Sequence, residues 1–142
     1  MPTALFGKTG RFERITKGGT AVTTREEFLS MALSLGNVYT DTPFHDDNWV
    51  LVRHRGNRKT FAFTFEREGA VWVNVKLPLD WGSFFREVYP SVLPAYHMNK
   101  EHWSSVILDG SIPDGEIERM TQMSFDLTMP QVGARRTQKG GA

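Results

Sequence analysis

The chain has 142 residues, the usual length of one domain, and 39% of them are hydrophobic, which excludes a wholly disordered chain. It contains no cysteine, which excludes disulfides, thiolate metal sites and a cysteine nucleophile. Its 17 basic and 16 acidic residues leave a net charge of +1, so only a local cluster of cations could attract nucleic acid.

The sequence predicts one domain between two tails. Residues 1–22 are rich in Gly, Lys, Arg and Thr and predict a flexible basic leader. Residues 129–142 predict a flexible tail, and the domain is expected at residues 23–128. No secretory apolar run precedes it and no window approaches the ~20 apolar residues of a membrane helix, so we expect a cytoplasmic protein with no membrane role.

The first predicted element is a helix from about Thr24 to Leu35, with Gly36 as its stop. Its start carries two overlapping capping boxes, Thr23 with Glu26 and Thr24 with Glu27. Its expected apolar stripe consists of Phe28, Met31, Ala32 and Leu35.

Residues 37–47 predict a loop, after which apolar residues recur at every second position. Three alternating segments at 49–54, 61–66 and 71–76 predict the strands of an antiparallel meander. A two-residue Gly56-Asn57 turn is expected in the first link. The phenylalanine face (Phe61, Phe63, Phe65) and the valine face (Val71, Val73, Val75) are expected to be buried.

The second half predicts two more helices and one more strand. Pro78 and Asp80 open a helix that Tyr89-Pro90 closes, and its expected apolar stripe is Trp81, Phe84, Phe85 and Val88. A strand is expected between Tyr96 and Leu108, with the Trp103 ring in the core. A last helix begins around Pro113, with a packing face of Ile117, Met120, Met123, Ser124 and Leu127. The order α-β-β-β-α-β-α predicts the α+β class, a mostly antiparallel sheet with helices packed on one face.

Several short segments, in a fixed order, resemble one protein family. The most specific is the run Tyr-His-Met-Asn-Lys-Glu-His-Trp at 96–103. The weaker segments are Thr-Pro-Phe at 42–44, Lys-Thr-Phe-Ala at 59–62, Val-Lys-Leu-Pro at 75–78, and the stretches 108–114 and 123–127. Through them residues 24–128 resemble the MmcQ/YjbR family. The basic leader is longer than is usual there, and Phe125 stands where tyrosine is common.

This resemblance implies a small bacterial protein with a CyaY-like fold. Members of the family are commonly labelled DNA-binding, because their fold is similar to that of a double-wing phage transcription factor. The label rests on shape rather than on a shared chemical site. A non-catalytic DNA-binding role is therefore what the resemblance implies.

The strongest local feature is a basic hairpin in which four cations and one histidine occupy seven residues. Such a tip can straddle a phosphate backbone, and the planar arginine fork pairs with phosphate oxygens. The plainer interpretation is a solvated tip that discourages edge aggregation. The candidate DNA-binding residues are Arg53, Arg55, Arg58 and Lys59, with Lys100 beyond the hairpin.

A second candidate is a nook for a small ligand or a protein partner. Its residues would be Tyr96, His97, Asn99 and Trp103. The alternative, which we favour, is that these side chains bond the turn backbone and set the strand register.

Metal and catalytic sites are not expected. His45-Asp46-Asp47 is more typical of a solvated turn than of a metal site, and Glu26 and Glu27 fit helix capping rather than frataxin-like iron binding. No phosphate-binding glycine loop, nucleophile elbow or H-E-x-x-H motif is present. We therefore expect no enzyme activity and no cofactor.

Three functions compete at this point. The first is DNA binding of low specificity through the basic hairpin, the second a protein-interaction module, and the third a small-ligand binder near residues 96–100. A positive surface joining the hairpin to Lys100, Lys76 or the tails would favour the first. A hairpin isolated by Glu66, Glu68 and Glu101 would favour the others.

Overall fold

The protein is described by a computed structural model that covers residues 22–95 and 98–130. In these ranges three helices occur: α1 (Arg25–Leu33), α2 (Leu79–Val88) and α3 (Asp114–Leu127). The strands are β1 (Val38–Asp41), β2 (Val50–His54), β3 (Thr60–Arg67), β4 (Ala70–Lys76), β5 (Val92–Pro94) and β6 (Trp103–Ile107). The α+β class is confirmed. Within the described ranges no helix has the length and apolar character to cross a membrane.

All six strands form one antiparallel sheet in the order β1-β2-β3-β4-β6-β5. The predicted order missed both outermost strands. β1 lies inside the predicted loop at 37–47 and is four residues long, too short for a clear alternation. β5 has three residues and ends in Pro94, a residue that sheets tolerate at an edge because it has no amide proton to donate. Both are edge strands, and they are recognised by their hydrogen bonds to the neighbouring strand rather than by a pattern in their own short sequences.

The three helices pack on one face of the sheet. One buried cluster joins the sheet to all three helices. Its sheet residues include Val73 and Val75 of β4 with Val52, Ala62 and Val106, and its helix residues include Phe28 of α1, Phe85 of α2 and Ile117 of α3. A hydrogen bond of 2.7 Å from Arg86 of α2 to Ser104 Oγ ties α2 to the same face. The predicted valine face is thus the face that the helices cover.

The phenylalanine residues of β3 do not share that face. The β2–β3 register shifts at a bulge, where Val52 faces Ala62 but Arg53 faces Thr60. The bulge turns the Phe61 ring toward α3, where it meets the Phe125 ring edge-on at 5.3 Å between centroids. The expectation of a single buried phenylalanine face is therefore wrong.

Phe63 and Phe65 lie on the opposite face, which we call the aromatic face. Phe65 stacks on Trp49 with ring centroids 4.3 Å apart, and Phe63 meets Trp103 edge-on at 5.4 Å. Trp103 is half-buried there instead of entering the helix-side core. The expectation that the Trp103 ring lies in the core is wrong, because β6 places this ring on the face of the sheet away from the helices.

Ser124 of α3 completes the backbone pairing at the bulge. Its hydroxyl donates to the Phe61 carbonyl at 2.6 Å and accepts from the Lys76 amide at 2.8 Å. A single side chain thus satisfies a main-chain carbonyl of β3 beside the bulge and the main-chain amide at the end of β4.

The helix ends and stripes agree in part with the sequence. Thr24 caps α1 in a complete box with Glu27, whose carboxylate also accepts from the Thr23 amide at 3.0 Å, so the second predicted box does not form. α1 ends at Leu33 with Ser34 as its cap, before Gly36.

Most residues of the predicted apolar stripes are buried or half-buried. The exceptions are Phe84 and Val88 of α2, each 47% exposed, and Leu127 of α3, which is 41% exposed.

Candidate nucleic-acid interface

The loop of the basic hairpin is longer than the sequence suggests. The His54 amide donates to the Lys59 carbonyl at 2.9 Å and the Arg58 amide donates to the His54 carbonyl at 2.8 Å. The loop therefore holds four residues between His54 and Lys59, and the expected two-residue Gly56-Asn57 turn is wrong. The residue in left-handed backbone is Arg58, with φ of 63°. Arginine rarely adopts this conformation, so the loop carries backbone strain at Arg58.

Asn57 anchors the loop to the end of α3. Its side-chain amide donates to the Thr128 carbonyl at 2.9 Å, and its side-chain oxygen accepts from the Lys59 amide at 3.0 Å. Pro130 lies so close to Gly56 that a Cβ on the glycine would come within 2.8 Å of Cγ of the proline. The tip is consequently a supported element rather than a free loop.

The first cation of the hairpin, Arg53, is already occupied. Its Nε donates to Asp41 Oδ2 at 2.7 Å, and another guanidinium nitrogen donates to the Arg58 carbonyl at 3.0 Å. Arg53 thus ties β2 to β1 and supports the loop. Its charge is balanced locally by the Asp41 carboxylate.

His54 is buried at 3% exposure beneath the loop. Its Nε2 lies 2.9 Å from Thr128 Oγ1, and its ring packs on Phe125 at 4.6 Å between centroids. Burial lowers the pKa of His54, although a backbone hydrogen bond with Phe125 opposes the shift. The histidine therefore belongs to the support of the hairpin and is not a charge at its surface.

The other hairpin cations, Arg55, Arg58 and Lys59, are exposed. The Arg55 guanidinium lies over the Tyr39 ring, 5.2 Å from its centroid, in a cation–π contact. In residues 22–95 and 98–130 none of the three forms an ion pair with a carboxylate.

The strand register brings two lysines to the same end of the sheet. Ala62 pairs with Val75, so Lys76, the last residue of β4, lies beside the start of β3, where the hairpin loop ends. Lys76 also pairs with Trp103, the first residue of β6. Lys100 is exposed in the turn just before Trp103. We call Arg55, Arg58, Lys59, Lys76 and Lys100 the basic end.

Carboxylates gather at the opposite end of the sheet, near the starts of α1 and α3. They include Asp46, Asp47, Glu66, Glu68, Asp114 and Glu118. Burial and the nearby charges of Glu118 and Glu27 raise the pKa of Asp114, as expected for crowded carboxylates. Cations are present there too, and Arg67 lies 3.5 Å from Glu68. Most carboxylates of the described residues therefore lie away from the basic end, but Glu101 next to Lys100 and Asp126 near the end of α3 are exceptions, and Glu66 and Glu68 do not isolate the hairpin.

The predicted nook is only partly described, since Tyr96 and His97 lie outside the described residues. Asn99 shapes the turn: its side-chain oxygen accepts from the amides of Glu101 at 2.9 Å and His102 at 3.3 Å. The Trp103 amide donates to the Asn99 carbonyl at 2.9 Å. These bonds agree with the structural interpretation of Asn99, which sets the start of β6.

The aromatic face also carries a cleft that no pattern in the sequence predicted. Phe44, Trp49, Phe63 and Met98 line a cavity of about 360 Å³. Phe44 and Met98 come from loops, so no periodicity links them to the strands. The only relevant signal in the sequence was the alternating pattern of β3 and β6, which placed the rings of Phe63 and Trp103 in the same sheet.

The His45-Asp46-Asp47 segment is an exposed loop, in which Asp46 Oδ1 accepts from the Asn48 amide at 2.9 Å. Across the described parts of the chain, no three histidine or acidic side chains come close enough together to hold a metal ion.

The YjbR family model matches residues 33–127. The uncharacterized protein YyaQ of Bacillus subtilis (strain 168) is 29% identical over 116 residues, which cover 74% of this chain and 98% of YyaQ. The uncharacterized protein YjbR of Escherichia coli (strain K12) is 33% identical over 81 residues, which cover 57% of this chain and 68% of that protein.

Two solved structures are similar in fold. A Pseudomonas syringae protein has a TM-score of 0.67 at 28% identity, with 75% of this chain and 99% of that chain covered. Protein DR2400 of Deinococcus radiodurans has a TM-score of 0.70 at 25% identity, with 83% and 88% covered. With well over half of the chain matched by the family model, the predicted relationship is confirmed, and this chain belongs to the YjbR family.

Proposed function

We propose that this YjbR-family protein binds DNA without catalysing a reaction, by contacts between phosphates and the basic end. The observation that carries the proposal is the gathering of Arg55, Arg58, Lys59, Lys76 and Lys100 at one end of the sheet. No carboxylate in the described ranges forms an ion pair with any of them. The balance of basic and acidic residues over the whole chain is no obstacle, because most acidic side chains of the described residues lie away from the basic end.

The arrangement suits a polyanion better than a single small anion. Arg58 and Lys59 project from the hairpin loop, whereas Lys76 and Lys100 belong to β4 and the turn before β6. Cations spread over three neighbouring strands match a row of phosphates along a nucleic-acid backbone. Phosphate contacts carry no base information, so we expect low sequence preference.

The first test measures the binding of a labelled DNA duplex by fluorescence anisotropy at several salt concentrations. Five phosphate contacts would give a log-log slope of about −4.5, from roughly −0.9 per contact. Charge reversal of two exposed arginines, Arg55→Glu with Arg58→Glu, should abolish binding while the melting temperature stays close to that of the wild type.

A matched pair of variants separates local from net charge. Lys59→Glu and Arg25→Glu change the net charge equally, but Lys59 lies at the basic end and Arg25 at the start of α1. We expect Lys59→Glu to weaken binding strongly and Arg25→Glu to have little effect. Equal losses, or no duplex binding at low salt, would reject the proposal and favour a protein-interaction or small-ligand role.

A further inference from the structure

The cleft on the aromatic face combines an accessible ring with a rigid floor. The Phe44 side chain is 51% exposed and meets Trp49 edge-on, with ring centroids 6.2 Å apart. Trp49 in turn stacks on Phe65, which is 1% exposed. The floor is thus fixed by the core, while Phe44 stands at the surface.

The size and lining of the cleft suit a flat ring system. Its volume of about 360 Å³ lies at the low end of the range for small-molecule sites, which start near 300 Å³. Phe44, Trp49, Phe63 and Met98 offer aromatic faces and a polarisable thioether. An unpaired nucleobase stacks well in such surroundings, because every base has a π-face.

Two cations of the basic end lie near one side of the cleft, whereas Asp46 and Asp47 lie between Phe44 and Trp49 on the other side. The Phe63 ring contacts the Trp103 ring at 5.4 Å, and Trp103 pairs directly with Lys76. Met98, which lines the cleft, is followed two residues later by the exposed Lys100. A ligand held by its ring in the cleft would therefore direct its negative groups toward the side of Lys76 and Lys100, away from Asp46 and Asp47.

We propose that the cleft receives an unpaired base of single-stranded nucleic acid, whose phosphates run along Lys76 and Lys100. This inference rests on the proposed function and specifies its ligand as single strand in preference to duplex. Charge complementarity selects this occupant over an apolar peptide, which would leave both lysines without a counter-charge. A duplex keeps its base faces stacked inside and cannot fill the cleft.

The test compares two phenylalanines of similar exposure on opposite sides of the molecule. Phe44 is 51% exposed in the cleft, and Phe84 is 47% exposed on α2. Anisotropy titrations of the full chain would use a labelled oligothymidylate, a labelled duplex and thymidine monophosphate. Phe44→Ala should weaken oligothymidylate binding about 5- to 150-fold, because it removes one stacking contact with a base, and leave duplex binding unchanged. Phe84→Ala should change neither, and Phe44→Tyr should retain single-strand binding.

The possible failures are distinguishable. If Phe44→Ala leaves oligothymidylate binding intact, or weakens duplex binding equally, the cleft inference is overturned while the DNA-binding proposal stands. Thymidine monophosphate binding as tightly as the oligomer would also overturn it, since the ligand would then be a free nucleotide. Absence of both single-strand and duplex binding by the wild type would refute the function and the inference together.

Discussion

Replacing Arg58 by glycine should change the stability of the protein and its affinity for DNA in opposite directions. The residue has a φ of 63°, in the left-handed region that favours glycine, and its exposed side chain belongs to the basic end. Arg58→Gly should therefore relax the loop and also remove one phosphate-binding cation. The backbone carbonyl that accepts from Arg53 at 3.0 Å is retained in the variant.

The expected gain in stability follows from two opposing contributions. Left-handed backbone costs an L-residue roughly 1–2 kcal/mol, and the substitution removes this strain. Glycine lowers the free energy of unfolding by about 0.5–1 kcal/mol, because it makes the unfolded chain more flexible. The net increase in the free energy of unfolding is about 0.5–1 kcal/mol, equivalent to a rise of about 2–4 °C in Tm for a domain of this size.

Thermal denaturation and DNA titration on the same samples check both parts. Arg58→Ala is the matched control, because it removes the cation but keeps a side chain in left-handed backbone. Both variants should lose about 0.9 from the log-log salt slope, and Arg58→Gly alone should melt above the wild type. A lower melting temperature for Arg58→Gly than for Arg58→Ala would refute the reasoning from backbone strain.

Three further predictions concern the support of the basic end. Because burial lowers the pKa of His54 below its ordinary 6.5, the unfolded chain binds the extra proton first, so the free energy of unfolding should fall as pH decreases through that value. Chemical denaturation at pH 8 and pH 5 tests this, and His54→Phe should show a weaker pH dependence. Gly36→Ala would place a Cβ 2.9 Å from Cζ of Phe125 and should destabilise the fold by about 1–3 kcal/mol in the same assay; an unchanged midpoint would contradict the close packing. Asp41→Ala removes the carboxylate bound at 2.7 Å to Arg53, so the DNA salt slope should steepen by about 0.9, whereas a constant slope would mean that the freed guanidinium meets no phosphate.

Local patterns predicted the elements that carry strong signals of their own. The capping box of Thr24 and Glu27 located the start of α1, and alternation located β3 and β4. These signals depend on neighbouring residues in the chain, which is why they survive without knowledge of the fold. The α+β class followed from them.

Which cations form ion pairs and which remain exposed could not be predicted from local patterns. Arg53 and Arg58 look alike in the sequence, but Arg53 meets Asp41 because β1 pairs with β2. β1 is an edge strand of four residues, and missing it hides the ion pair. Likewise, the approach of Lys76 to the hairpin depends on the β3–β4 register, and the cleft depends on loops that deliver Phe44 and Met98.

Within the described residues, five cations lie at one end of the sheet and most carboxylates lie toward the other, which gives this part of the protein an electric dipole along the strands. In the field of a polyanion such a dipole experiences a torque before any contact is made. The protein would therefore rotate during its approach until Arg58 and Lys59 lead, and fewer encounters would be lost to wrong orientations. Added salt would shorten the reach of this alignment, so the rate of association would slow with ionic strength.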